Sequence, residues 1–288
     1  MTAHVVVGVD GSPASQAAVE WAADDAVRRG RPLRIVHVCA PWIYDIPLQT
    51  PPGFRDSMTE YCQEILDTAL SQARSHAPGL QIETVRERGK AGEVLRREAE
   101  DAEEVVVGSR GLGGFTGLLL GSVSLALAGH VAAPVVVVRK PRRHVHDEIV
   151  VGLDGPPAPE EVFRYAFEEA VMRKAVLHVV HTVQTPVLGP YAEAYTSLID
   201  DAFVTEKRVA AETLEPWRER YPQVEVRRTV VIGHPVAVLC EASQTADLLV
   251  VGSRGLGRIG AAALGSVSHG VLHHARCPVA VVRPRGEA

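Results

Sequence analysis

Val105-Val-Val-Gly108-Ser109-Arg110-Gly111-Leu112-Gly113-Gly114-Phe-Thr-Gly117-Leu-Leu-Leu-Gly121-Ser122-Val123-Ser124 is the stretch that decides the fold. An apolar, β-branched run ends at Gly108, a glycine-rich loop follows, and Ser122 opens a segment with the helical spacing Leu125, Leu127, Val131. The order strand, loop, helix N-terminus is an anion-binding arrangement. Glycines allow close approach and expose backbone N–H groups, and the first turn of a helix adds unpaired donors and the positive end of its dipole. The stretch returns as Leu249-Val-Val-Gly252-Ser253-Arg254-Gly255-Leu256-Gly257-Arg-Ile-Gly260-Ala-Ala-Ala-Leu-Gly265-Ser266-Val267-Ser268.

The recurrence extends over the whole chain. Gly8 falls on Gly152, Asp10 on Asp154, His37 on His181, Gly121 on Gly265 and Pro134 on Pro278, always at an offset of 144, half of the 288 residues. A period of that size is a duplicated domain, not a solenoid repeat. The expected domains are 1–140 and 148–288, joined by Lys140 to Asp147 with its proline, basic and histidine residues.

Composition narrows the function classes. With 46% hydrophobic and 23% charged residues the chain is globular, and a formal net charge of -5 gives no general attraction to nucleic acid or anionic membrane. Neither partner is expected. Cys39, Cys62, Cys240 and Cys277 form no C-x-x-C pair and read as buried thiols of a reducing compartment. The apolar run Val5 to Val9 stops at Asp10, too short for a signal or membrane segment, so the expected location is the cytoplasm.

In the first copy, His4 to Asp10 reads as a strand buried on both faces. Ser12 and Pro13 are the N-cap and first position of a helix that stops at Gly30. Leu33 to Val38 is the second strand, and the proline-rich Pro41 to Gly53 is a covering or functional loop. A helix over about 55–75, a strand 82–86, a helix about 93–102, the signature strand, a helix ending near Ala132 and a strand 135–138 complete the copy. Strands alternating with helices predict an α/β doubly wound domain with a parallel sheet, present twice. Ligands of such sheets sit beyond the carboxyl ends of the strands, and two ends carry chemistry: Gly8-Val-Asp10-Gly-Ser12 and Gly108-Ser-Arg-Gly111.

Gly108, two residues, Gly111, nine residues, Gly121-Ser122 is similar to the G-2x-G-9x-G-[S/T] signature of ATP-binding universal stress proteins, and Gly252, Gly255 and Gly265-Ser266 repeat it without a mismatch. The Val-Asp-Gly-Ser turn, the Val36-His37-Val38 strand end and the final Pro-Val-Val-Val-Val strand resemble that family too. The resemblance covers nearly the whole chain. It implies a five-stranded parallel sheet in the order 3-2-1-4-5, with helices on both faces, which makes the two strand ends one crevice. It implies ATP at two sites per chain, with Mg left open. In that reading Asp10 and Asp154 face the nucleoside, Gly8 and Gly152 leave room beside it, and Val38 and Thr182 lie near the adenine. The loops from Gly108 through Ser109, Arg110, Gly111, Leu112, Gly113 and Gly114, and from Gly252 through Ser253, Arg254, Gly255, Leu256 and Gly257, wrap ribose and phosphates. Gly121, Ser122, Val123 and Ser124, with Gly265, Ser266, Val267 and Ser268, bind phosphate oxygens. By the same analogy the terminal strands lie at sheet edges and pair the domains as an intramolecular pseudo-dimer; a homodimer of chains is left open. Asp154-Gly155-Pro156-Pro157 departs from Asp10-Gly11-Ser12-Pro13, which removes any contact of the Ser12 hydroxyl.

Competing readings are weaker on the residues. Neither loop has the lysine of a Walker P-loop. Gly255-Leu-Gly257-Arg-Ile-Gly260 is a literal dinucleotide fingerprint, but Gly111 to Thr116 breaks it and no acidic residue follows about twenty residues on. His269, His273 and His274 lack the glutamate of a zinc helix, and the paired His37 and His181 read as hydrogen-bonded structural histidines. The function expected is a nucleotide-dependent sensor or regulator of stress response. The alternatives are a slow ATP hydrolase or phosphoryl or nucleotidyl transferase, and a nucleotide-free interaction module.

Overall fold

The computed structural model describes residues 3–39, 54–112, 120–141, 144–153, 160–183, 196–253 and 264–283. The chain divides into two compact units, Met1–His144 and Val145–Ala288. In the first, β1 (His4–Val9), α1 (Pro13–Arg29), β2 (Leu33–Cys39), α2 (Phe54–His76), β3 (Ile82–Arg88), α3 (Ala91–Glu98), β4 (Ala102–Gly108), α4 (Ser122–Leu127) and β5 (Val135–Val138) follow in order. The strands are parallel in the order β3-β2-β1-β4-β5, so the first and fourth strand ends are neighbours.

Local chemistry sets the first elements. The side chain of Ser12 accepts the Ser15 N–H at 3.2 Å, Pro13 supplies a first helical residue that has no N–H to satisfy, and Gly30 ends α1 in the left-handed region at φ 62°. Ala18, Trp21, Ala22 and Ala26 form the buried face of α1, which packs on β1 and β4. Val5, Val6 and Val7 of β1 and Val105 and Val106 of β4 are all 0% exposed, as required of strands covered on both faces. The register confirms two covers. Gly8 pairs with Val107 and its missing side chain points at Leu95 of α3, whereas Gly108, one residue on, points at Ala14 and Ser15 of α1.

Two helix ends differ from expectation. Helix α3 stops at Glu98 instead of about 102, because Ala102 is already recruited into β4 by pairing with His4. Helix α4 stops at Leu127 instead of near 132: Ala128 leaves helical geometry at ψ 116° and Gly129 turns at φ 77°. The covering loop 41–53 lies outside the described residues.

The second unit repeats the plan with β6 (Glu148–Leu153), α5 (Glu160–Arg173), β7 (Val176–Val183), α6 (Thr196–Arg220), β8 (Val226–Ile232), α7 (Pro235–Ala242), β9 (Leu248–Gly252), α8 (Ser266–His274) and β10 (Val279–Val282). Its parallel order β8-β7-β6-β9-β10 is the same 3-2-1-4-5 pattern. Its packing differs in detail. Trp217 and Tyr221 of α6 stack on Phe167 of α5 at 5.7 and 5.1 Å between ring centres, an aromatic layer where the first unit uses alanine.

Candidate functional site

The crevice beyond β1 and β4 is a cavity of about 450 Å³, within the range of small-molecule sites. Of the residues expected from sequence, Gly8, Asp10, Val38, Gly108, Arg110, Gly111, Gly121, Ser122, Val123 and Ser124 line this one space. Val36, Val38, Leu95 and Val107 make an apolar wall, and the two glycine turns and the start of α4 make a polar one. A flat heteroaromatic ring suits the first wall and an anion the second.

The polar wall is fixed by its own hydrogen bonds. Asp10 Oδ1 accepts the Ser12 N–H at 3.0 Å and Oδ2 accepts the Leu112 N–H at 3.0 Å, so one carboxylate ties the β1 turn to the β4 loop. Gly11 between them turns at φ 83°, a conformation other residues rarely adopt. The Ser12 hydroxyl donates to the Arg110 carbonyl at 3.1 Å and closes the same junction. Ser109 does not line the cavity. It is 4% exposed and works through its backbone, its N–H donating to the Val138 carbonyl and its carbonyl accepting the Gly121 N–H, both at 2.7 Å.

That last bond brings Gly121 back beneath the loop, so that α4 begins at the crevice. The first-turn N–H groups of Ser122, Val123 and Ser124 have no acceptor within the helix and remain donors for an anion. The Ser124 hydroxyl donates to the Gly108 carbonyl at 2.8 Å, which holds the helix start against the strand end and reserves that side chain for structure. Leu112 is exposed and its backbone N–H belongs to Asp10; Gly113 and Gly114 lie outside the described residues.

Residues that sequence reasoning missed include Val36, Ala91, Leu95, Val107, Leu120 and Ser15, all on the cavity surface. Val36 carried a signal, since alternation along β2 puts it on the same face as Val38. Ala91 and Leu95 are one helical turn apart on α3, but only the tertiary structure shows which crevice that face meets. The two equivalent histidines are hydrogen-bonded as their pattern predicts: His37 Nδ1 lies 2.8 Å from the Val9 carbonyl and His181 Nδ1 2.9 Å from the Leu153 carbonyl.

The second unit repeats the scaffold. Gly265 donates its N–H to the Ser253 carbonyl at 2.8 Å, Ser253 donates to Val282 at 2.8 Å, and the Ser268 hydroxyl donates to the Gly252 carbonyl. Gly152 faces Leu239 of α7 as Gly8 faces Leu95, with a β-carbon position 3.1 Å from Leu239 Cδ1. Thr182 lies in β7, paired with Val231 of β8, and Ser266 and Val267 open α8. Asp154, Arg254, Gly255, Leu256 and Gly257 lie outside the described residues.

Residues 1–139 and 146–283 each match the sequence model of the universal stress protein family. The chain belongs to the universal stress protein family. A universal stress protein of Mycolicibacterium smegmatis (strain ATCC 700084 / mc(2)155) is 35% identical over 292 residues, which is 98% of this chain and 97% of the relative. One from Mycobacterium tuberculosis (strain ATCC 25618 / H37Rv) is 35% identical over 308 residues, 97% of this chain and 94% of that protein. The crystal structure of a universal stress protein from Archaeoglobus fulgidus DSM 4304 superposes with a TM-score of 0.68 at 20% identity, covering 99% of this chain and 97% of that one, and shares the fold. As in other tandem members, this universal stress protein carries the family domain twice.

Proposed function

We propose that this universal stress protein binds ATP, one molecule in each of two domains bounded at 1–140 and 148–288, and acts in the cytoplasm as a nucleotide-dependent sensor or regulator. The observation that carries this reading is the pairing, in one cavity of about 450 Å³, of an apolar wall from β2, β4 and α3 with the loop ending at Gly121 and the free first-turn donors of α4. Such donors bind phosphate without a lysine. Hydrogen bonds to charged groups contribute roughly 1.5–3 kcal/mol each, so several suffice for about micromolar affinity, or roughly 8 kcal/mol. Asp10 already holds two N–H groups, so any Mg²⁺ arrives on the phosphates and not on a protein carboxylate cluster. Two tandem family domains fit an intramolecular pseudo-dimer.

Calorimetry on nucleotide-stripped protein tests the proposal. Two equivalents of ATP per chain are expected; a single equivalent, or a preference for NAD, overturns it.

A further inference from the structure

Strand β2 has a second face. Val36 and Val38 point into the cavity, and alternation turns His37 and Cys39 the other way, toward α2, which contributes Cys62. The donor atoms of His37, Cys39 and Cys62 all lie within 4.8 Å of one another, close to about twice the 2.3 Å length of a metal–thiolate bond. Cys39 and Cys62 are each 1% exposed, and Met58, one turn before Cys62 on α2, packs against the pair.

The imidazole is oriented as a ligand. A carbonyl can only accept, so His37 Nδ1, 2.8 Å from the Val9 carbonyl, carries the ring proton and Nε2 keeps its lone pair, as in metal-binding histidines with a fixed outer partner. The second unit offers a parallel. His181 makes the same Nδ1 contact and sets Nε2 3.0 Å from Glu206 Oε2, and Glu206 is the residue of α6 at the position of Cys62. The offset of 144 also puts Val183 where Cys39 stands. One unit therefore meets its histidine with a carboxylate, and the other with two thiols.

We propose that His37, Cys39 and Cys62 form a binding site for one Cu(I) ion, with the Met58 side chain packed against it. Two thiolates and an imidazole are a soft donor set, which selects Cu(I) over harder cations. Zinc in a closed site wants four ligands in a tetrahedron, and among the described residues this buried cluster supplies three. Binding displaces the two thiol protons to solvent and forms two Cu–S bonds and one Cu–N bond, with no change in oxidation state.

The test is anaerobic titration of the reduced full chain with Cu(I) held by bicinchoninate. The chain should withdraw one equivalent, with X-ray absorption showing sulfur and nitrogen neighbours. Cys39→Ser and Cys62→Ser should each weaken binding at least tenfold, whereas the double variant Cys240→Ser, Cys277→Ser should bind as the parent does. Cys62→Glu, which supplies the partner that His181 has, guards against a variant that merely unfolds: it should melt cooperatively and lose the ion. No withdrawal of Cu(I), equal binding by folded Cys62→Glu, or a preference for Zn(II) in competition would each overturn the site.

Discussion

A β-carbon on Gly111 would stand 2.2 Å from Oδ2 of Asp10, the same oxygen that accepts the Leu112 N–H. Glycine is required at 111 by a carboxylate, not by backbone strain, since Gly111 is not among the described glycines with positive φ. Any side chain there must push Asp10 aside and break the junction between the two loops.

Gly111→Ala should therefore lower ATP affinity at the first site at least tenfold, reducing the measured stoichiometry toward one per chain while the second site still binds. Gly111→Asp should be worse, because it opposes two carboxylates at contact distance, where the screening of solvent is weakest. Removing the obstacle tests the cause: with Asp10→Ala in place, the further change Gly111→Ala should cost much less than it does alone. Additive losses in that cycle, read by calorimetry, would show that Asp10 is not what residue 111 meets.

Gly108 makes a different prediction. A β-carbon there would lie 2.7 Å from the Ala14 carbonyl carbon and 2.8 Å from the Ser15 nitrogen, both backbone atoms that cannot rotate away. Gly108→Ala should push the first turn of α1 off the strand end and destabilise the fold by about 1–3 kcal/mol, the usual cost of overpacking. Gly8→Ala meets side chains alone, Leu95 at 2.9 Å and Val107 at 3.4 Å, and should cost less. Thermal melts of the two variants give the order directly.

These glycines show how far the sequence could be read. Spacing and repeat placed Gly108, Gly111 and Gly121 at the ligand end, and β-branched runs with Ser12, Pro13 and Gly30 placed the strands and α1, because those signals are local. What Gly108 and Gly111 each touch was not legible. Gly108 opposes α1 and Gly111 opposes Asp10, contacts that span 94 and 101 positions of the chain and exist only after the sheet has formed. The same holds for Asp10. Its carboxylate accepts two backbone N–H groups, one of them 102 residues away, and no local pattern announces that junction. The early end of α4 was missed because a helical spacing of apolar residues continues past Gly129, where the backbone has already turned.

Turnover should be slow. Among the described residues that line the cavity, only Asp10 and Arg110 carry charge, and the Asp10 carboxylate holds the loops together through two N–H groups. The remaining donors are backbone groups that contact ground-state phosphates as well as any transition state, so they favour binding over rate. Phosphate release from saturating ATP should stay below about 1 per second, the low end of ordinary enzymes. A faster steady rate that survives repurification would require a reacting group the described cavity does not supply.

His178 gives the second unit a pH dependence whose sign is fixed by its surroundings. It lies in β7 with Nδ1 3.1 Å from Glu148 Oε1 and 3.2 Å from Arg227 Nη2, and Nε2 2.8 Å from the Thr229 hydroxyl. Burial is the largest influence and lowers its pKa below the ordinary 6.5; Glu148 raises it and the Arg227 charge lowers it again. A histidine that is harder to protonate folded than unfolded contributes stability that is present above the unfolded pKa. It is lost as pH falls from about 6.5 through the lowered folded value, since the unfolded chain then binds the extra proton. The melting temperature should therefore decline over that interval, and His178→Gln, which cannot titrate, should flatten the decline while leaving the curve above pH 7 parallel to that of the parent. An unchanged slope in a folded variant would remove His178 as its source and direct the search to other groups of the unit.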